Sequence, residues 1–263
     1  VAEQREPPVR QRDRVEFVAV EHHQAAPVGG QDRQARRPRG LIIADHAGRC
    51  IPAALAGLGL PDAERDRHIG WDIGIEGVAR NLAALLGAGA LVQRYSRLVI
   101  DCNRAPDDPR AIVEQSDGTP VPGNRNLPPE ARDARVREVH APYHAAIAAA
   151  LMQLPQDAPL IALHSFTPRM NGVDRPWHCG VLHLHDSPLS RCMLALLAAE
   201  GDLIVGDNQP YAMEGTDYTV PRHAVAAGRD YAEIEIRQDL IADAAGQGQW
   251  AARLARLLTV ALG

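Results

Sequence analysis

Two histidines in this chain each follow a short apolar run, at the point where a buried strand would end. His46 comes after LIIAD, and His164 comes after PLIAL. The carboxyl ends of parallel strands meet at one edge of an open α/β sheet, where ligands bind. Two histidines and a carboxylate form a common catalytic zinc set, with water in the fourth position. The pattern predicts a site for one zinc ion; the alternative is that each histidine only caps a strand end.

The carboxylate of this set is less well defined by the sequence. Asp72 opens a predicted helix just after the loop that follows His46, and His68, four residues earlier, is its rival. An acid in a first helical turn is also what the helix dipole favours. Asp45 adjoins His46, but alternation along a strand predicts that it points to the opposite side. We favour Asp72 as the third ligand.

A candidate proton acceptor lies in YAEIEIRQDL, in which charged and apolar residues alternate. Glu233, Glu235 and Arg237 share one face of the predicted strand, and Ile234 and Ile236 share the other. A solvated edge strand explains this pattern. If the strand is internal, its charged row must line a pocket, because unpaired buried charge is too costly. Glu235 would then be placed to take a proton from water and pass it to a leaving amine.

Candidate anion-binding residues follow the apolar run in RLVIDCNR, which predicts another strand. A guanidinium fork at Arg104 can hold a carboxylate by two hydrogen bonds, and Asn103 adds a donor. An ordinary surface arginine is the alternative. Arg97 is a weaker candidate for a second anion contact or for stabilising an oxyanion. Asn208 and Tyr211 follow a further predicted strand and are expected to line the same site.

Strands and helices alternate along the chain, which predicts an α/β fold with a largely parallel sheet covered on both faces. Residues 1–40 are polar, and within them only EFVAVEH resembles a strand, at an edge. We predict a single catalytic domain over residues 41–263. Predicted helices cover residues 71–88, 131–154, 189–200, 219–228 and the C-terminal segment, and the Pro/Gly-rich segment 105–130 is a candidate lid.

Composition excludes several mechanisms. The chain has 263 residues, a net charge of −5 and no lysine, so Walker-type phosphate binding and Schiff-base chemistry are ruled out. No GxSxG, GxGxxG or HExxH motif occurs. The acidic balance argues against a nucleic-acid surface. No apolar run is long enough to cross a membrane, and no secretory signal is evident. With four widely spaced cysteines, we expect a reduced, cytoplasmic protein.

Several segments together resemble the N-formylglutamate amidohydrolase family, which is related to the zinc carboxypeptidases and aspartoacylases. The resemblance extends in order from about Leu41 to Leu240. The segments are DHAGRCIPAAL, RHIGWDIGIEGVA, YSRLVIDCNR, SDGTPVPGN, LHSFTPRMNG, VGDNQPY and EIEIRQDLI. It implies a phosphorylase/hydrolase-like α/β fold with a central mixed sheet. It also implies metal-dependent cleavage of N-formyl-L-glutamate to formate and glutamate, a step of histidine degradation.

The resemblance assigns the metal histidines to His46 and His164, the catalytic glutamate to Glu235, and the substrate-carboxylate grip to Asn103 and Arg104. One departure is clear: the carboxypeptidase-like HxxE motif is not met, since Arg49 stands three residues after His46. Two other functions stay open. One is deacylation or peptide cleavage on another N-acyl amino acid or short peptide. The other is a metal-free protein of the same fold that binds a small carboxylate. The oligomeric state is not predicted.

Overall fold

The computed structural model describes residues 16–18, 40–184, 187–215 and 217–263, and the remainder of the predicted N-terminal extension lies outside these ranges. The central element is a seven-stranded mixed sheet with the order β1-β3-β2-β6-β11-β9-β10. Strands β3, β2, β6 and β11 run parallel to one another, β1 and β9 run antiparallel to their neighbours β3 and β11, and β10 is parallel to β9. The predicted α/β class with a mostly parallel sheet is confirmed.

The strands of the main sheet are β1 (Glu16–Val18), β2 (Leu41–Ala44), β3 (Gly89–Val92), β6 (Leu160–Phe166), β9 (Cys179–Leu182), β10 (Val205–Asp207) and β11 (Tyr231–Arg237). Two small hairpins pair β4 (Gln115–Ser116) with β5 (Thr119–Pro120), and β7 (Arg169–Met170) with β8 (Val173–Asp174). The helices are α1 (Asp62–Arg65), α2 (Ile75–Leu86), α3 (Pro129–Arg135), α4 (Ala141–Met152), α5 (Pro188–Ala198), α6 (Thr219–His223) and α7 (Ala244–Ala261). A five-residue π-helical segment joins α3 to α4.

Helices cover both faces of the sheet, because successive residues of β2 and of the first part of β6 point to opposite faces and are apolar on both. On one face, Ile42, Leu163 and Ile234 belong to a core that includes buried residues of α2, α5 and α7. On the other face, Ile43 and Ala162 pack with apolar residues of α4 and α6. Helix α5 begins as its sequence predicts, with a serine N-cap followed by proline.

One predicted strand is wrong. The apolar run Arg97–Cys102 forms turns after β3, and its side chains Leu98, Val99 and Ile100 are almost completely buried. The run is therefore apolar because it packs against the sheet from outside, and periodicity alone cannot distinguish this from a buried strand. Asn103 and Arg104 consequently lie in a loop rather than at a strand end.

Candidate active site

The two predicted metal histidines lie side by side because β2 and β6 are adjacent and parallel. His46 follows the end of β2, whereas His164 is within the last three residues of β6, and the two rings are 5.0 Å apart. Asp72 reaches them from the turn before α2, where its backbone N–H donates to the His46 carbonyl at 2.8 Å. The Ser165 N–H donates to Asp72 Oδ2 at 3.1 Å, which fixes the carboxylate between the histidines.

The separations between the Asp72 carboxylate and the two histidine nitrogens are close to those around a zinc ion. Asp72 Oδ2 lies 3.1 Å from His164 Nδ1 and 3.5 Å from His46 Nδ1. Ligands about 2.05 Å from a tetrahedral zinc ion are roughly 3.3 Å from one another. All three residues are buried, their ligand atoms lie within 4.8 Å of one another, and His46 Nδ1 has no hydrogen-bond partner among the described residues. The donor set therefore fits a metal ion.

Each histidine also has a carboxylate against its other ring nitrogen. His46 Nε2 is 2.7 Å from Asp101 Oδ1, and His164 Nε2 is 3.5 Å from Asp45 Oδ2. The hydrogen bond to Asp101 fixes the orientation of the His46 ring and leaves Nδ1 as the metal ligand, whereas the longer contact between Asp45 and His164 is an ion-pair distance without a hydrogen bond. Asp45, which was expected to point to the side opposite His46, is not among the residues that line the cavity, and it contacts His164 from behind the donor set.

The charged row of β11 lies inside the protein, because β11 is an internal strand between β6 and β9. Glu235 is in register with His164, and Glu233 lies two residues before it on the same face. Burial raises the pKa of Glu235 to about 7. Burial and the nearby Asp217 raise the pKa of Glu233 well above its usual range. Glu235 can therefore both accept and donate a proton near neutral pH.

These groups line a cavity of ≈ 290 Å³ that also contains three arginines, Arg97, Arg104 and Arg110. Arg97 Nη2 donates to Asp101 Oδ2 at 2.7 Å, and Arg97 Nη1 lies 3.6 Å from Asp72 Oδ1. Its cationic group therefore sits beside the candidate metal ligands, where charge would develop on a polarised carbonyl. Arg110 is mainly engaged by Asp108, at 2.7 Å.

Of the remaining predicted substrate-binding residues, Tyr211 and Asn103 line the cavity and Asn208 does not. Tyr211 lines the cavity, and its hydroxyl accepts a hydrogen bond from Arg175 at 2.9 Å. Asn103 also lines it, but its Oδ1 accepts from the Thr219 N–H at 2.9 Å, so part of the side chain has a structural role. The structure does not bring Asn208 to the cavity, because its side-chain oxygen accepts from the His183 N–H at 2.9 Å.

His68, the other candidate for the third metal ligand, also lines the cavity but is not one of the three clustered donors. Its Nε2 lies 3.2 Å from Asp117 Oδ2, in the β4–β5 turn. The position of Arg49, where the HxxE motif would place a glutamate, is exposed and paired with Asp66 at 2.6 Å. Of the two candidates for the third metal ligand, Asp72 is the one whose carboxylate lies next to both histidines.

Two acids of this site, Asp101 and Asp217, were not among the predicted site residues. The Asp101 carboxylate lies between His46 and Arg97. Asp217 lines the cavity, although no motif pointed to it. Glu233 belongs to the charged row that was expected to line a pocket if the strand is internal, and it lines the cavity beside Glu235.

The fold and cavity define a class: an α/β hydrolase in which a His–Asp–His donor set and a buried glutamate meet at the carboxyl ends of parallel strands. The profile of the N-formylglutamate amidohydrolase family matches residues 39–242. This chain belongs to that family and is an amidohydrolase of the N-formylglutamate type.

Two solved structures are similar to this chain in fold. The gene product Atu2144 from Agrobacterium tumefaciens is 36% identical, with a TM-score of 0.82 over 86% of this chain and 90% of that chain. N-formylglutamate amidohydrolase from Ralstonia eutropha JMP134 is 20% identical, with a TM-score of 0.65 over 86% of this chain and 93% of that chain, and shares the fold. No curated protein matches the chain. None of the described helices combines the length and apolarity needed to cross a membrane.

Proposed function

We propose that this protein is a zinc-dependent amidohydrolase that removes the formyl group from an N-formyl amino acid such as N-formyl-L-glutamate, releasing formate and glutamate. The observation that carries the proposal is the placement of Glu235 in register with His164, next to three metal-competent donors in one cavity. His46, Asp72 and His164 would hold the ion. A bound zinc ion supplies Lewis-acid polarisation of a carbonyl oxygen and acidifies water.

Glu235 carries the proton in this proposal. It accepts a proton from the attacking water and donates it to the nitrogen of the leaving amino acid, so that it returns to its starting state after each cycle. A carboxyl group performs both steps best when its pKa lies near the working pH. Burial, which raises the pKa of Glu235 to about 7, meets that condition.

The arginines supply the recognition of an anionic substrate. We assign Arg104 to the α-carboxylate, because its guanidinium group can bind both oxygens. Arg97, 3.6 Å from the Asp72 carboxylate, is assigned to the oxyanion that forms on the formyl carbon. Asn103 and Tyr211 line the same cavity and complete its polar wall.

The size of the cavity favours a small substrate. Its volume of ≈ 290 Å³ is at the low end of the range of about 300–1,000 Å³ for ligand pockets. The rival substrates, a larger N-acyl amino acid or a short peptide, would need more room. The other rival, a metal-free carboxylate-binding protein, does not require a buried glutamate in the same cavity as three metal-competent donors. We place the enzyme in the cytoplasm, in a step of histidine degradation.

The test is a metal measurement joined to a substrate panel. We expect about one zinc ion per purified chain and release of formate from N-formyl-L-glutamate. His164→Ala should lose both, and His183→Ala, outside the cavity, should keep both. A wild-type protein that takes up no zinc when it is offered would refute the mechanism. Zinc with faster cleavage of N-acetyl or peptide substrates would instead favour the rival hydrolase.

A further inference from the structure

One carboxylate of the cavity, that of Asp217, has no part in the metal site or in the proton transfer described above. Its Oδ1 accepts a hydrogen bond from Asn103 Nδ2 at 2.9 Å. Its Oδ2 is buried and has no hydrogen-bond partner among the described residues. An unpaired buried oxygen of this kind costs free energy. A ligand that donates a hydrogen bond to it would remove that cost.

The surroundings hold Asp217 firmly beside the assigned carboxylate grip. Asn103 Oδ1 accepts from the Thr219 N–H at 2.9 Å, which ties the segment carrying Asp217 to the residue preceding Arg104. From the other side, the His140 ring nitrogen Nε2 lies 2.9 Å from the Arg104 carbonyl oxygen. Burial raises the pKa of Asp217 to about 6, and the charges of His164 and Arg104 oppose this effect.

The presence of Asp217 and Arg104 in one cavity matches the covalent structure of the substrate class. In an N-acyl amino acid, the α-carboxylate and the amide N–H are attached to the same carbon atom. A site that binds the carboxylate through Arg104 therefore places the N–H a few ångströms away. The site then needs a hydrogen-bond acceptor near that N–H, because an amide donor left unpaired in a cavity costs free energy.

We propose that Asp217 is a substrate-contacting residue that accepts a hydrogen bond from the amide N–H of the N-acyl amino acid and then binds the ammonium group of the released amino acid. This inference rests on the proposed function. Among the cavity acids, Glu235 is assigned to proton transfer, and Glu233 lies 3.8 Å from His164 Nε2, beneath the metal site. Asp217 is the acid tied to the carboxylate grip.

The first experiment compares an amide with its ester analogue, which lacks the N–H. The substrates are N-formyl-L-glutamate and (S)-2-formyloxyglutarate, and the variant is Asp217→Asn, which keeps the acceptor for Asn103. We expect kcat/KM to fall on the order of 10- to 100-fold for the amide, the equivalent of a charge-assisted hydrogen bond, and to change less than about threefold for the ester. Equal losses on both substrates would show a structural role and overturn the proposal.

The second experiment measures binding without turnover. Calorimetry should show that the wild-type protein binds L-glutamate at least about tenfold more tightly than (S)-2-hydroxyglutarate, and that Asp217→Asn loses this preference. Asp202→Asn, which removes an exposed charge paired with Arg253, should keep it. A preference that survives in Asp217→Asn, or is absent in the wild type, overturns the proposal.

The two proposals fail in different ways. Wild-type protein that cleaves neither substrate refutes the proposed function, but the calorimetric preference still decides the role of Asp217. Cleavage of the amide with an unchanged amide-to-ester ratio in the variant refutes only the role of Asp217. If Asp217→Asn does not fold, as judged by circular dichroism, Asp217→Ser provides the same comparison.

Discussion

Replacing Asp101 by asparagine tests whether the carboxylate behind His46 tunes the metal site. Asp101 Oδ1 lies 2.7 Å from His46 Nε2, and Oδ2 accepts from Arg97 at 2.7 Å. Although burial opposes ionisation, Arg97 and His46 hold the pKa of Asp101 well below its usual range. Asparagine can still accept from His46, but its NH2 group would then face the Arg97 donor, and the negative charge is lost.

The expected magnitude follows from the role of such partners. Removing the carboxylate behind a metal-ligating histidine costs about 10- to 100-fold in metal affinity. That range equals about 1.4–2.8 kcal/mol. At a fixed, saturating concentration of free zinc, the variant should lose the same amount of zinc-linked stabilisation against unfolding.

The assay is a competition titration with a zinc chelator of known affinity, together with urea unfolding with and without zinc. Asp66→Asn is the matched control, because it removes an exposed carboxylate that pairs with Arg49. It should bind zinc as the wild type does. The reasoning is refuted if folded Asp101→Asn binds zinc within about twofold of the wild type, or if both variants lose affinity equally.

Two further predictions concern stability and access to the cavity. Burial lowers the pKa of His144 to about 3 and that of His223 to about 4, so the unfolded chain binds protons first. As the pH drops from 6.5 towards 4, each histidine should therefore remove about 1.4 kcal/mol per pH unit from the unfolding free energy of the metal-free protein, while Glu233 and Glu235, with raised pKa values, act in the opposite direction. The difference in unfolding free energy between the wild type and His223→Gln, measured by urea titration at each pH, should fall by that amount, and a difference that does not change with pH would contradict this role. Asp117 accepts from Arg67 at 2.8 Å and from the Asn171 N–H at 3.1 Å, which pins the β4–β5 turn beside the cavity. Asp117→Asn should lower stability by about 1 kcal/mol and speed proteolysis within residues 112–126, and unchanged cleavage would contradict this role.

The positions of His46, His164 and Glu235 could be predicted because each belongs to a buried strand of the sheet or comes within two residues of its end. An apolar run long enough for one strand fixes which residue comes at its end, and parallel neighbours bring those ends together. Asp72 required a choice between two candidates, since the helix dipole would favour an acid there without any metal.

The loop of residues 97–104 shows what a local sequence pattern does not specify. Its apolar residues pack against the sheet as turns, so the run predicts burial correctly and conformation wrongly. The contact between Asp101 and His46 joins residues 55 positions apart, and that between Asn103 and Asp217 joins residues 114 apart. Nothing in a local pattern specifies such pairs, which depend on how the loops cross the sheet edge.

The charge of the cavity connects the metal site with the choice of substrate. Asp45, Asp72 and Asp101 have lowered pKa values, and Asp217, with a pKa raised to about 6, is mostly ionised at neutral pH. Glu233 is held neutral, and Glu235 exchanges its proton near pH 7. Among the described residues that line the cavity, the carboxylates of Asp72, Asp101 and Asp217 face Arg97 and Arg104. Although burial opposes it, the nearby carboxylates raise the pKa of both His46 and His164, so the two rings carry positive charge in the metal-free protein. A ligating imidazole is neutral, so a metal ion bound here would displace the ring protons. The ion in this proposal therefore supplies the positive charge that the protonated rings hold in its absence, and an anionic substrate meets a cationic site in either state.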